Sequence, residues 1–567
     1  MEAREFYKKY LGIENPFHHQ VSVFEKLTSG FFPLVLKAPT GSGKTEAVVA
    51  PFLSQFVSGD FIIAPRLVYV LPMRVLVNST AERIKGYAER VSSGISVDIQ
   101  HGEDPGTPFF MSDIVVTTLD QFVYAFARAS SQVGRHLDMP AGAIASSIVV
   151  FDEAHMYRDE YTFAIMRAIM EILQKSGVPF VVMTATMPES LMKSLFENIP
   201  LKDENIVEGS TDIKSSVEIK LVKDKLIEEG ELNFCDELLE KIKEKKTIIV
   251  VNQVERAQKV YETLKRKLSL DEGKIVLLHS RFTRSDRKKH EEKALSLMPR
   301  KKGCQKIHLN GPGVVVTTQV LEAGIDFSAQ LLITELAPAD SLVQRAGRCA
   351  RYDGERGEMV IYTEYIDKSE SVQLQKAKGK GKRENAQEET AKESEKDYLP
   401  YKNEELKNTL KWLEENPGFN IKDFKEVAKF VNVLDYRASD YEASDTLIDL
   451  YECVLYADSA PENIQVKEGK PVTLIVTDLP KEGRKKQQDK NQTLNVDAKA
   501  CSVSVDIGFA LKLQQRIVGE LIWQFDGKSF KPVPRFFKKA ADESTISPFK
   551  TYILPKEHYS EEKGILV

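Results

Sequence analysis

The chain has 567 residues, more than one hydrophobic core of ordinary size accommodates, so its length indicates about three structural units. Hydrophobic residues make up 42% and charged residues 29%, an ordinary globular composition that argues against a disordered chain. No apolar run approaches the roughly 20 residues that a membrane-spanning helix needs. The formal net charge of −5 argues against a protein whose whole surface binds nucleic acid, although it allows a local basic groove.

The first residues and the cysteines give an expectation about the compartment. Its first residues, MEAREFYKKYLGIENPF, lack the basic, apolar and small-residue regions of a secretory signal peptide. The five cysteines are scattered, without a CxxC pair or the spacing of a zinc site. Because reduced thiols are typical of a reducing compartment, we expect a cytoplasmic protein without a membrane partner.

Short apolar runs alternate with helical patterns in the first part of the chain. The predicted strands are 34–39, 61–65, 69–72, 113–118, 147–153 and 180–186. Continuous apolar runs, without polar alternation, are typical of strands that are covered on both faces, as in a parallel sheet. The stretches TEAVVAPFLSQF and EYTFAIMRAIMEILQKSG between them carry apolar residues at helical spacing. The pattern predicts a doubly wound α/β domain over residues 1–205.

The same alternation returns over residues 206–366, with VERAQKVYETLKRKL as one of the helical stretches. The predicted strands there are 247–252, 274–279, 313–318, 331–336 and 358–364. A second doubly wound α/β domain is therefore predicted for this part of the chain.

The last third of the chain departs from this pattern. Residues 367–399 are polar and charged with almost no core-forming residues, and they predict a charged linker or mobile insertion. Residues 400–567 begin with the helical stretch NEELKNTLKWLEEN and continue with strand-like pieces such as PVTLIVTDL. We expect a smaller, mixed C-terminal accessory domain there.

A glycine-rich loop, APTGSGKT at residues 38–45, follows a predicted strand and precedes a predicted helix. In this setting successive backbone N–H groups point at phosphate oxygens, at the positive end of the following helix. Lys44 is expected to reach the β- and γ-phosphates of ATP, and the Thr45 hydroxyl to bind Mg²⁺. The first motif position is Ala38 where the usual pattern has glycine, and a surface turn is the alternative. The candidate nucleotide contacts are Thr40, Gly41, Ser42, Gly43, Lys44 and Thr45.

Two acidic residues follow the predicted buried strand SIVVF, in the segment DEAH at 152–155. A carboxylate at the end of such a strand, downstream of a phosphate loop, can hold the shell of Mg²⁺, so Asp152 is assigned to the metal. Glu153 is assigned as the general base that polarises the attacking water. His155 is expected to contact the γ-phosphate region or the facing domain, with a core histidine as the alternative.

The segment QRAGRCAR at 344–351 carries the other catalytic candidates, Gln344, Arg348 and Arg351. Two arginines three residues apart on a helical turn share a face, and such a pair can reach across a cleft to a γ-phosphate. We expect both arginines to act as arginine fingers, whereas a basic helix face is the alternative. Because they lie in the second α/β domain and the phosphate loop lies in the first, hydrolysis would require the domains to close.

Further polar candidates concern the base and a nucleic-acid strand. Gln20, in NPFHHQ, lies upstream of the phosphate loop and is predicted to read the adenine edge, with a plain helix-start glutamine as the alternative. Other candidates stand at the carboxyl ends of predicted strands, where doubly wound sheets bind ligands and where polar groups suit phosphate contacts. The candidates for strand contact are Arg74, Gly102, Thr117, Thr118, Asn252, Thr317, Thr318 and Gln319.

Together these residues resemble a superfamily 2 DEAH-box helicase. The chain is similar, more specifically, to the helicase half of the CRISPR-associated helicase–nuclease of type I systems. The stretches that carry the resemblance are APTGSGKTEA, VTTLDQFVYA, FDEAHMYRDEYT, TATMP and TTQVLEAGIDFSAQLLITELAPADSLVQRAGRCAR. The resemblance implies two tandem RecA-like domains, and it implies that Asp326 contributes to the nucleotide site.

The resemblance also implies an activity and partners. Members of this family travel along single-stranded DNA in the 3′-to-5′ direction at the expense of ATP, with Mg²⁺, after an RNA-guided effector complex has opened an R-loop. They usually begin with a metal-dependent HD nuclease domain, whereas this sequence begins close to Gln20 and contains no His-Asp dipeptide. We therefore expect a helicase-only subunit that works with a separate HD nuclease.

Alternatives remain open from the sequence alone. The DEAH RNA helicases share DEAH and QRAGRCAR, but the stretch FSAQLLITELAPADSLV between Asp326 and Gln344 is too short for their strand-separating hairpin. A DNA-repair or RNA-directed helicase outside CRISPR, a nucleotide-gated DNA clamp that recruits a nuclease without unwinding, and an inactive scaffold are the other hypotheses. Stimulation of the ATPase by DNA or RNA, together with a strand-displacement assay, distinguishes them.

Overall fold

The computed structural model describes residues 2–566 apart from 102–103, 158–159, 210–213, 269–272, 303–304, 308, 310, 323–326, 364–398, 435–444, 450–451, 453–468, 480–496, 526–529, 538–540 and 542–544. The chain divides into two compact units. The first comprises Met1–Lys214, Ala339–Gly347 and Lys411–Glu468, and the second comprises Ser215–Pro338, Arg348–Leu410 and Gly469–Val567. None of the helices in the described ranges is both long and apolar enough to span a bilayer.

One eight-stranded sheet organises the first unit. Its strands are β1 (Leu34–Lys37), β2 (Arg66–Leu71), β3 (Val97–His101), β4 (Asp104–Pro105), β5 (Ile114–Thr118), β6 (Ser147–Phe151), β7 (Phe180–Thr184) and β8 (Ile206–Glu208). They lie in the order β4-β3-β5-β2-β6-β7-β1-β8. Neighbouring strands are parallel except for the β3–β4 pair. Strands β5, β6 and β7 are buried at every position, which explains their continuous apolar runs.

Helices cover both faces of this sheet. They are α1 (Ala3–Phe6), which continues into a π-helical turn (Tyr7–Leu11), α2 (His18–Thr28), α3 (Lys44–Ser58), α4 (Arg74–Val91), α5 (Leu119–Phe126), α6 (Asp138–Ala145), α7 (Glu160–Lys175) and α8 (Glu189–Leu195). Successive strand residues enter different cores: Val149 of β6 packs in one core with Phe122 and Ile169, and Val150 packs in the other with Val48 and Ile84. The unit is therefore a three-layer α/β/α sandwich.

A six-stranded parallel sheet organises the second unit. The strands up to residue 362 are β9 (Ser216–Val222), β10 (Ile227–Glu228), β11 (Glu231–Leu232), β12 (Lys246–Val250), β13 (Ile275–Leu278), β14 (Arg300–Lys302), β15 (Gln305–Ile307), β16 (Gly313–Thr317), β17 (Leu331–Glu335) and β18 (Arg356–Tyr362). The sheet order is β13-β16-β12-β17-β18-β9, with parallel neighbours throughout. β10–β11 and β14–β15 are antiparallel hairpins. The helices of this stretch are α9 (Asp236–Glu244), α10 (Val254–Leu268) and α11 (Arg284–Leu297).

The later helices are divided between the units. They are α12 (Ala339–Ala346), α13 (Asn403–Glu415), α14 (Phe424–Val431) and α15 (Ile507–Lys512). Helices α12 and α14 belong to the first unit and α15 belongs to the second. Within the first unit, Lys422 Nζ donates to the carbonyl of Ala346 at the end of α12 (2.8 Å). This bond satisfies one of the carbonyls that a helix leaves free at its C-terminus.

A five-stranded mixed sheet completes the second unit. The last strands are β19 (Pro471–Thr477), β20 (Ser502–Asp506), β21 (Gly519–Phe525), β22 (Phe530–Phe536), β23 (Thr551–Pro555), β24 (Tyr559–Ser560) and β25 (Gly564–Ile565). The sheet order is β20-β19-β23-β21-β22, in which only β19 and β23 are parallel. Leu474 and Tyr552 of this sheet share one hydrophobic core with Ile249 and Val316 of the parallel sheet.

The terminal hairpin, residues 559–565, is fastened to helices α10 and α11. Gln258 of α10 donates to the carbonyl of Lys563 (2.7 Å), and Tyr261 donates to the carboxylate of Glu562 (2.7 Å). Tyr559 donates to Asp286 of α11 (2.8 Å). These bonds join residues 559–565 to helices α10 and α11.

The predicted fold class is confirmed, because the chain has two doubly wound parallel sheets and a smaller mixed sheet. One predicted strand, 61–65, is wrong. Those residues form irregular backbone. The Gln55 side chain accepts from the Ile63 N–H (2.7 Å) and donates to the Ala64 carbonyl (3.2 Å). These backbone groups are therefore not available for hydrogen bonds to a neighbouring strand. Phe61 and Ile62 are 44% and 56% exposed, which is the reverse of a buried strand. The predicted linker 367–399 lies outside the described residues except for Leu399.

Candidate nucleotide and strand-binding sites

The phosphate loop connects β1 to α3, and its backbone turns at two glycines in the left-handed region. Gly41 has φ = 80° and Gly43 has φ = 75°, which favours glycine because a Cβ strains this conformation. Helix α3 begins at Lys44, so its N-terminal N–H groups face the loop. The Lys44 ammonium donates to the carbonyls of Ala38 (3.2 Å) and Pro39 (3.4 Å). The lysine thus folds over its own loop, at the place expected for phosphates.

Helix α2 is bonded directly to this loop. The Gln20 amide donates to the carbonyl of Gly43 (3.1 Å), and its oxygen accepts from the Phe17 N–H (2.9 Å). His19 Nε2 lies 3.0 Å from the carbonyl of Ser42. A Cβ at Gly43 would collide with the Gln20 amide, so the second loop glycine also makes room for this side chain. The structure places Gln20 beside the loop, while its role in reading adenine stays a prediction.

The two residues assigned to Mg²⁺, Thr45 and Asp152, are joined by Tyr69 of β2. The Tyr69 hydroxyl donates to Asp152 Oδ2 (2.6 Å) and lies 3.2 Å from Thr45 Oγ1. Burial, reinforced by the nearby Glu153 carboxylate, raises the pKa of Asp152 to about 6, and the Lys44 ammonium opposes this shift. A hydroxyl and a buried carboxylate are hard oxygen ligands of the kind that Mg²⁺ prefers, so the residues present fit this ion.

Glu153 has an unusual backbone conformation. Its φ of 50° lies in the left-handed region, where a side chain with a Cβ is strained. The strained turn is stabilised by Asp152, whose Oδ1 accepts from the Glu153 N–H (2.8 Å). One carboxylate oxygen of Glu153 lies 3.6 Å from His155 Nδ1. The Glu153 side chain thus lies beside His155, while Asp152 lies beside Tyr69.

His155 connects three segments within the first unit. Its Nε2 lies 2.8 Å from the Gln344 amide nitrogen of helix α12, and its Nδ1 lies 3.3 Å from Thr184 Oγ1 at the end of β7. Because an amide nitrogen can only donate, Nε2 accepts and the proton resides on Nδ1. The Gln344 amide also lies 3.4 Å from Thr186 Oγ1. The segments DEAH, TAT and QRAGRCAR are thus joined by hydrogen bonds.

Arg348 and Arg351 belong to the second unit, but they do not share a helical face as predicted. Helix α12 ends at Ala346, Cys349 forms a β-bridge with Ala329, and Ala350 has φ = 46°. That expectation is therefore wrong, because backbone pairing with residue 329 replaces the helical turn. Arg348 donates to the carbonyl of Glu322 (3.4 Å), and the Arg351 N–H donates to Ser328 Oγ (3.0 Å).

The candidates for contact with a nucleic-acid strand in the first unit lie at two places: the end of strand β5 and the end of the loop that follows β2. Arg74 is half-buried at the first position of α4. Thr117 and Thr118 are buried, and Thr117 donates to the carbonyl of Gln100 (2.7 Å). Gly102 and, in the second unit, Asp326 lie outside the described residues.

In the second unit a buried glutamate organises the candidates. Glu335, at the end of β17, accepts from the Asn252 N–H (2.6 Å) and forms a two-point ion pair with Arg256 (2.9 and 3.0 Å). Gln319 donates to the carbonyl of Asn252 (2.9 Å), which brings two predicted candidates together. Thr317 and Thr318, which directly precede Gln319 in the sequence, are buried at the end of β16.

Sequence reasoning missed three residues of these sites: Tyr69, Arg256 and Arg83, whose guanidinium donates to Thr45 Oγ1 (2.7 Å). Tyr69 stands inside an apolar strand, and Arg83 and Arg256 stand on helices, so no motif contains them. A hydroxyl at one position of an otherwise aliphatic buried strand was the available signal for Tyr69, because a buried phenol usually has a hydrogen-bond partner.

Comparisons with known proteins agree with this geometry. Residues 17–194 match a family model described as DEAD/DEAH box helicase, and residues 243–354 match one described as CRISPR-associated nuclease/helicase Cas3, C-terminal. The CRISPR-associated helicase Cas3 of Thermoproteus tenax is 33% identical over 345 residues, which is 58% of this chain and 55% of that protein. The chain spans about half the length of such curated relatives.

Solved structures share the fold. T. fusca Cas3 with ATP superposes with a TM-score of 0.66 at 19% identity, over 97% of this chain and 69% of that chain. A chain described as CRISPR RNA-guided surveillance complex, pre-nicking, gives a TM-score of 0.59 at 20% identity, over 97% and 70% of the two chains. At such identities the match concerns the fold.

The phosphate loop and the DEAH segment lie within residues 17–194, the part of the chain that matches the DEAD/DEAH box helicase model, and they are what an ATP-dependent helicase domain requires. The match over residues 243–354 and the similarity to curated relatives point to one group of helicases. Over these residues the chain is similar to Cas3 helicases.

Proposed function

We propose that this chain hydrolyses ATP to move along single-stranded DNA in the 3′-to-5′ direction during type I CRISPR interference. The observation that carries the proposal is the joining of Thr45 and Asp152 through Tyr69, beside Lys44 and the strained Glu153. This set has the groups that phosphoryl transfer needs: a phosphate cradle, ligands for a metal, and a carboxylate to orient water.

The chemistry follows from these positions. Bound Mg²⁺ would be held by Thr45 and Asp152 and would neutralise charge on the β- and γ-phosphates. Lys44 would exchange its bonds to the carbonyls of Ala38 and Pro39 for phosphate oxygens, which are stronger, charged acceptors. Glu153 would polarise the attacking water as general base. The remaining loop residues, 40–43, would present backbone N–H groups to the phosphates.

The other candidate residues receive roles within this proposal. Gln344 would hold His155 in one tautomer, and Arg348 and Arg351 would act as arginine fingers that stabilise the charge of the transition state. The single-stranded DNA would be held by backbone and polar side-chain groups at the candidate positions. These are Arg74, Gly102, Thr117 and Thr118 in the first unit and Asn252, Thr317, Thr318 and Gln319 in the second. Contacts of this kind position a strand without reading its sequence.

The biological setting is proposed from the relatives. Curated relatives are named CRISPR-associated helicase or nuclease/helicase, and one structural neighbour is a chain of an RNA-guided surveillance complex. We propose that an RNA-guided effector complex recruits this chain to an open R-loop. The motifs recognised in the sequence are those of a helicase, and we propose that an HD nuclease on a separate polypeptide cuts the DNA that the helicase delivers.

The experiment that tests the activity compares nucleic acids and polarities. Single-stranded DNA is expected to stimulate ATP hydrolysis more than RNA of the same sequence. Duplexes with a 3′ single-stranded tail are expected to be unwound, and duplexes with a 5′ tail are not. Stimulation by RNA alone would favour an RNA helicase, and hydrolysis with DNA binding but without strand displacement would favour a nucleotide-gated clamp. A pull-down with effector subunits and an HD nuclease tests the partners separately.

A further inference from the structure

Arg83 of helix α4 reaches the phosphate loop, although no motif contains it. Its Nη2 donates a 2.7 Å hydrogen bond to Thr45 Oγ1, the hydroxyl assigned to Mg²⁺. Its Nε lies 3.7 Å from a carboxylate oxygen of Glu46. A permanently charged guanidinium therefore lies against the oxygen that a divalent cation would use.

The Thr45 hydroxyl has limited capacity. It offers one proton and two lone pairs, and Tyr69 at 3.2 Å and Arg83 at 2.7 Å occupy two of these three places. A metal ion on the remaining lone pair would sit beside the Arg83 guanidinium on one oxygen atom. Like charges at such a separation repel, and neighbouring protein groups screen them less than bulk water does. Metal and guanidinium therefore compete for Thr45.

The surroundings explain why the guanidinium is stable there. Although burial acts in the opposite direction, the Glu46 carboxylate, with smaller contributions from Tyr69, Tyr87 and Asp152, raises the pKa of Arg83. Tyr87 donates to the Glu46 carboxylate (3.0 Å) and fixes it in place. The Glu46 side chain is 8% exposed, whereas the Arg83 side chain is 47% exposed. The arginine can thus leave toward solvent while the carboxylates stay.

We propose that Arg83 is a positioning residue that occupies the metal side of the nucleotide site when it is empty and is displaced from Thr45 when Mg²⁺ binds, an inference that rests on the proposed ATP-dependent function. In the nucleotide-free protein Arg83 offsets the charge of Glu46 and Asp152. On loading, the metal takes over this role, and the guanidinium turns outward. Arg83 therefore stabilises the empty site and lowers its affinity for the metal.

The test measures metal affinity without turnover. A fluorescent ADP analogue is titrated with Mg²⁺, and the Mg²⁺ concentration at half-maximal binding is compared between wild type and Arg83→Met. That concentration is expected to be about fivefold lower in the variant, the effect of removing one charge at a half-exposed site. In EDTA the variant's thermal midpoint is expected to fall by about 2–4 °C, because its carboxylates lose their counter-charge.

Two controls make the result specific. Lys85→Met removes a positive charge from the same helix at an exposed position and is expected to change neither quantity. Arg83→Lys keeps the charge and is expected to stay near wild type in its Mg²⁺ requirement. An unchanged or higher Mg²⁺ requirement in Arg83→Met would overturn the proposal, even if the nucleotide binds normally. Failure of the wild type to bind the nucleotide at any Mg²⁺ concentration would overturn the proposed function instead, and the role of Arg83 with it.

Discussion

The side-chain amide of Gln344 lies 2.8 Å from Nε2 of His155, a residue 189 positions earlier in the chain. Both residues belong to the first unit, as does the whole of helix α12. Thr184 Oγ1 lies 3.3 Å from Nδ1, so both ring nitrogens of His155 have a neighbour within hydrogen-bond distance. The contact joins the two segments in which the catalytic candidates are concentrated.

This contact predicts that Gln344 and His155 act as a pair. The single variants Gln344→Ala and His155→Ala are each expected to lower the rate of ATP hydrolysis by about tenfold, since each leaves a buried polar partner without its bond. The double variant is expected to be little worse than either single one, with a coupling of about 1 kcal/mol. Steady-state ATPase rates of the wild type, the two single variants and the double variant complete this double-mutant cycle. Simple additivity of the two losses would show that the residues act independently.

Glu153→Gln is expected to bind ATP with wild-type affinity while hydrolysis falls by about 10²–10⁴-fold, because an amide cannot accept the proton of the attacking water. Equilibrium nucleotide binding and single-turnover hydrolysis measure the two quantities. Glu89→Gln, at an exposed position of helix α4, is the matched control and keeps full activity. Near wild-type hydrolysis in Glu153→Gln would remove this residue from the role of general base.

Arg348→Ala and Arg351→Ala are each expected to reduce turnover by about 10³-fold or more while changing the affinity for single-stranded DNA by less than about twofold. Arg356→Ala, at an exposed position of the same unit, controls for the loss of positive charge. Fluorescence anisotropy with labelled DNA and an ATPase assay separate the effects. A loss of DNA affinity with normal basal hydrolysis would identify the arginines as strand contacts.

The two loop glycines are expected to differ in their tolerance of alanine. Both have positive φ, which costs about 1–2 kcal/mol for a residue with a Cβ. Gly41 has no neighbouring atom within 4 Å of an added Cβ, whereas Gly43 meets the Gln20 amide. Gly43→Ala is therefore expected to lower the free energy of unfolding more than Gly41→Ala does. Combination with Gln20→Ala is expected to recover part of the difference, and equal losses that Gln20→Ala does not change would contradict this explanation.

His279, in the second unit, predicts a pH dependence. Burial, with the Arg281 charge nearby, lowers the pKa of His279 to about 3, although the hydrogen bond between Nε2 and the carbonyl of Lys563 (3.0 Å) acts in the opposite direction. Nδ1 accepts from the Arg281 N–H (3.1 Å). Because its pKa is lowered on folding, His279 contributes to the free energy of unfolding. This contribution is complete above the unfolded pKa of about 6.5 and is lost as the pH falls toward 3. At pH 5 the loss corresponds to about 2 kcal/mol.

Chemical denaturation of the wild type and of His279→Gln at pH 7.5 and pH 5 tests this expectation. The wild type is expected to lose more stability between the two pH values than the variant does, because glutamine carries no titrating group. The difference between the proteins isolates His279 from the carboxylates, which titrate in both. Identical losses would show that this histidine does not titrate in the window.

The local sequence patterns allowed much of the fold to be predicted, and the motifs identified the segments that lie together at the candidate nucleotide site, whose roles stay predictions. The helical pattern 254–268 matches α10, and the predicted strands 113–118 and 147–153 correspond to β5 and β6, because burial on both faces leaves a clear sequence pattern. β6 ends at Phe151, two residues before the predicted end. Strands β3, β8 and β9 were missed, since their partly exposed positions mix polar and apolar residues.

The remaining features depend on contacts between distant residues. The geometry around Arg348 and Arg351 depends on pairing with Ala329, and no local pattern announces a bridge of that kind. The positions of Tyr69 and Arg83 beside Thr45 depend on how β2 and α4 pack against the phosphate loop. The Glu335–Arg256 ion pair likewise joins residues 79 positions apart, and only folding shows that they meet.

The common core of the two sheets in the second unit has a consequence for truncation. Leu474 and Tyr552 share one hydrophobic core with side chains of the parallel sheet, and the terminal hairpin bonds to α10 and α11. Deleting all residues beyond 470 would expose an apolar surface of the parallel-sheet core to water. It would also leave the polar groups that bond to the hairpin without these partners. In the intact protein, heating is therefore expected to unfold both sheets of the second unit in one cooperative step. Proteases are not expected to release the last hundred or so residues as a folded fragment.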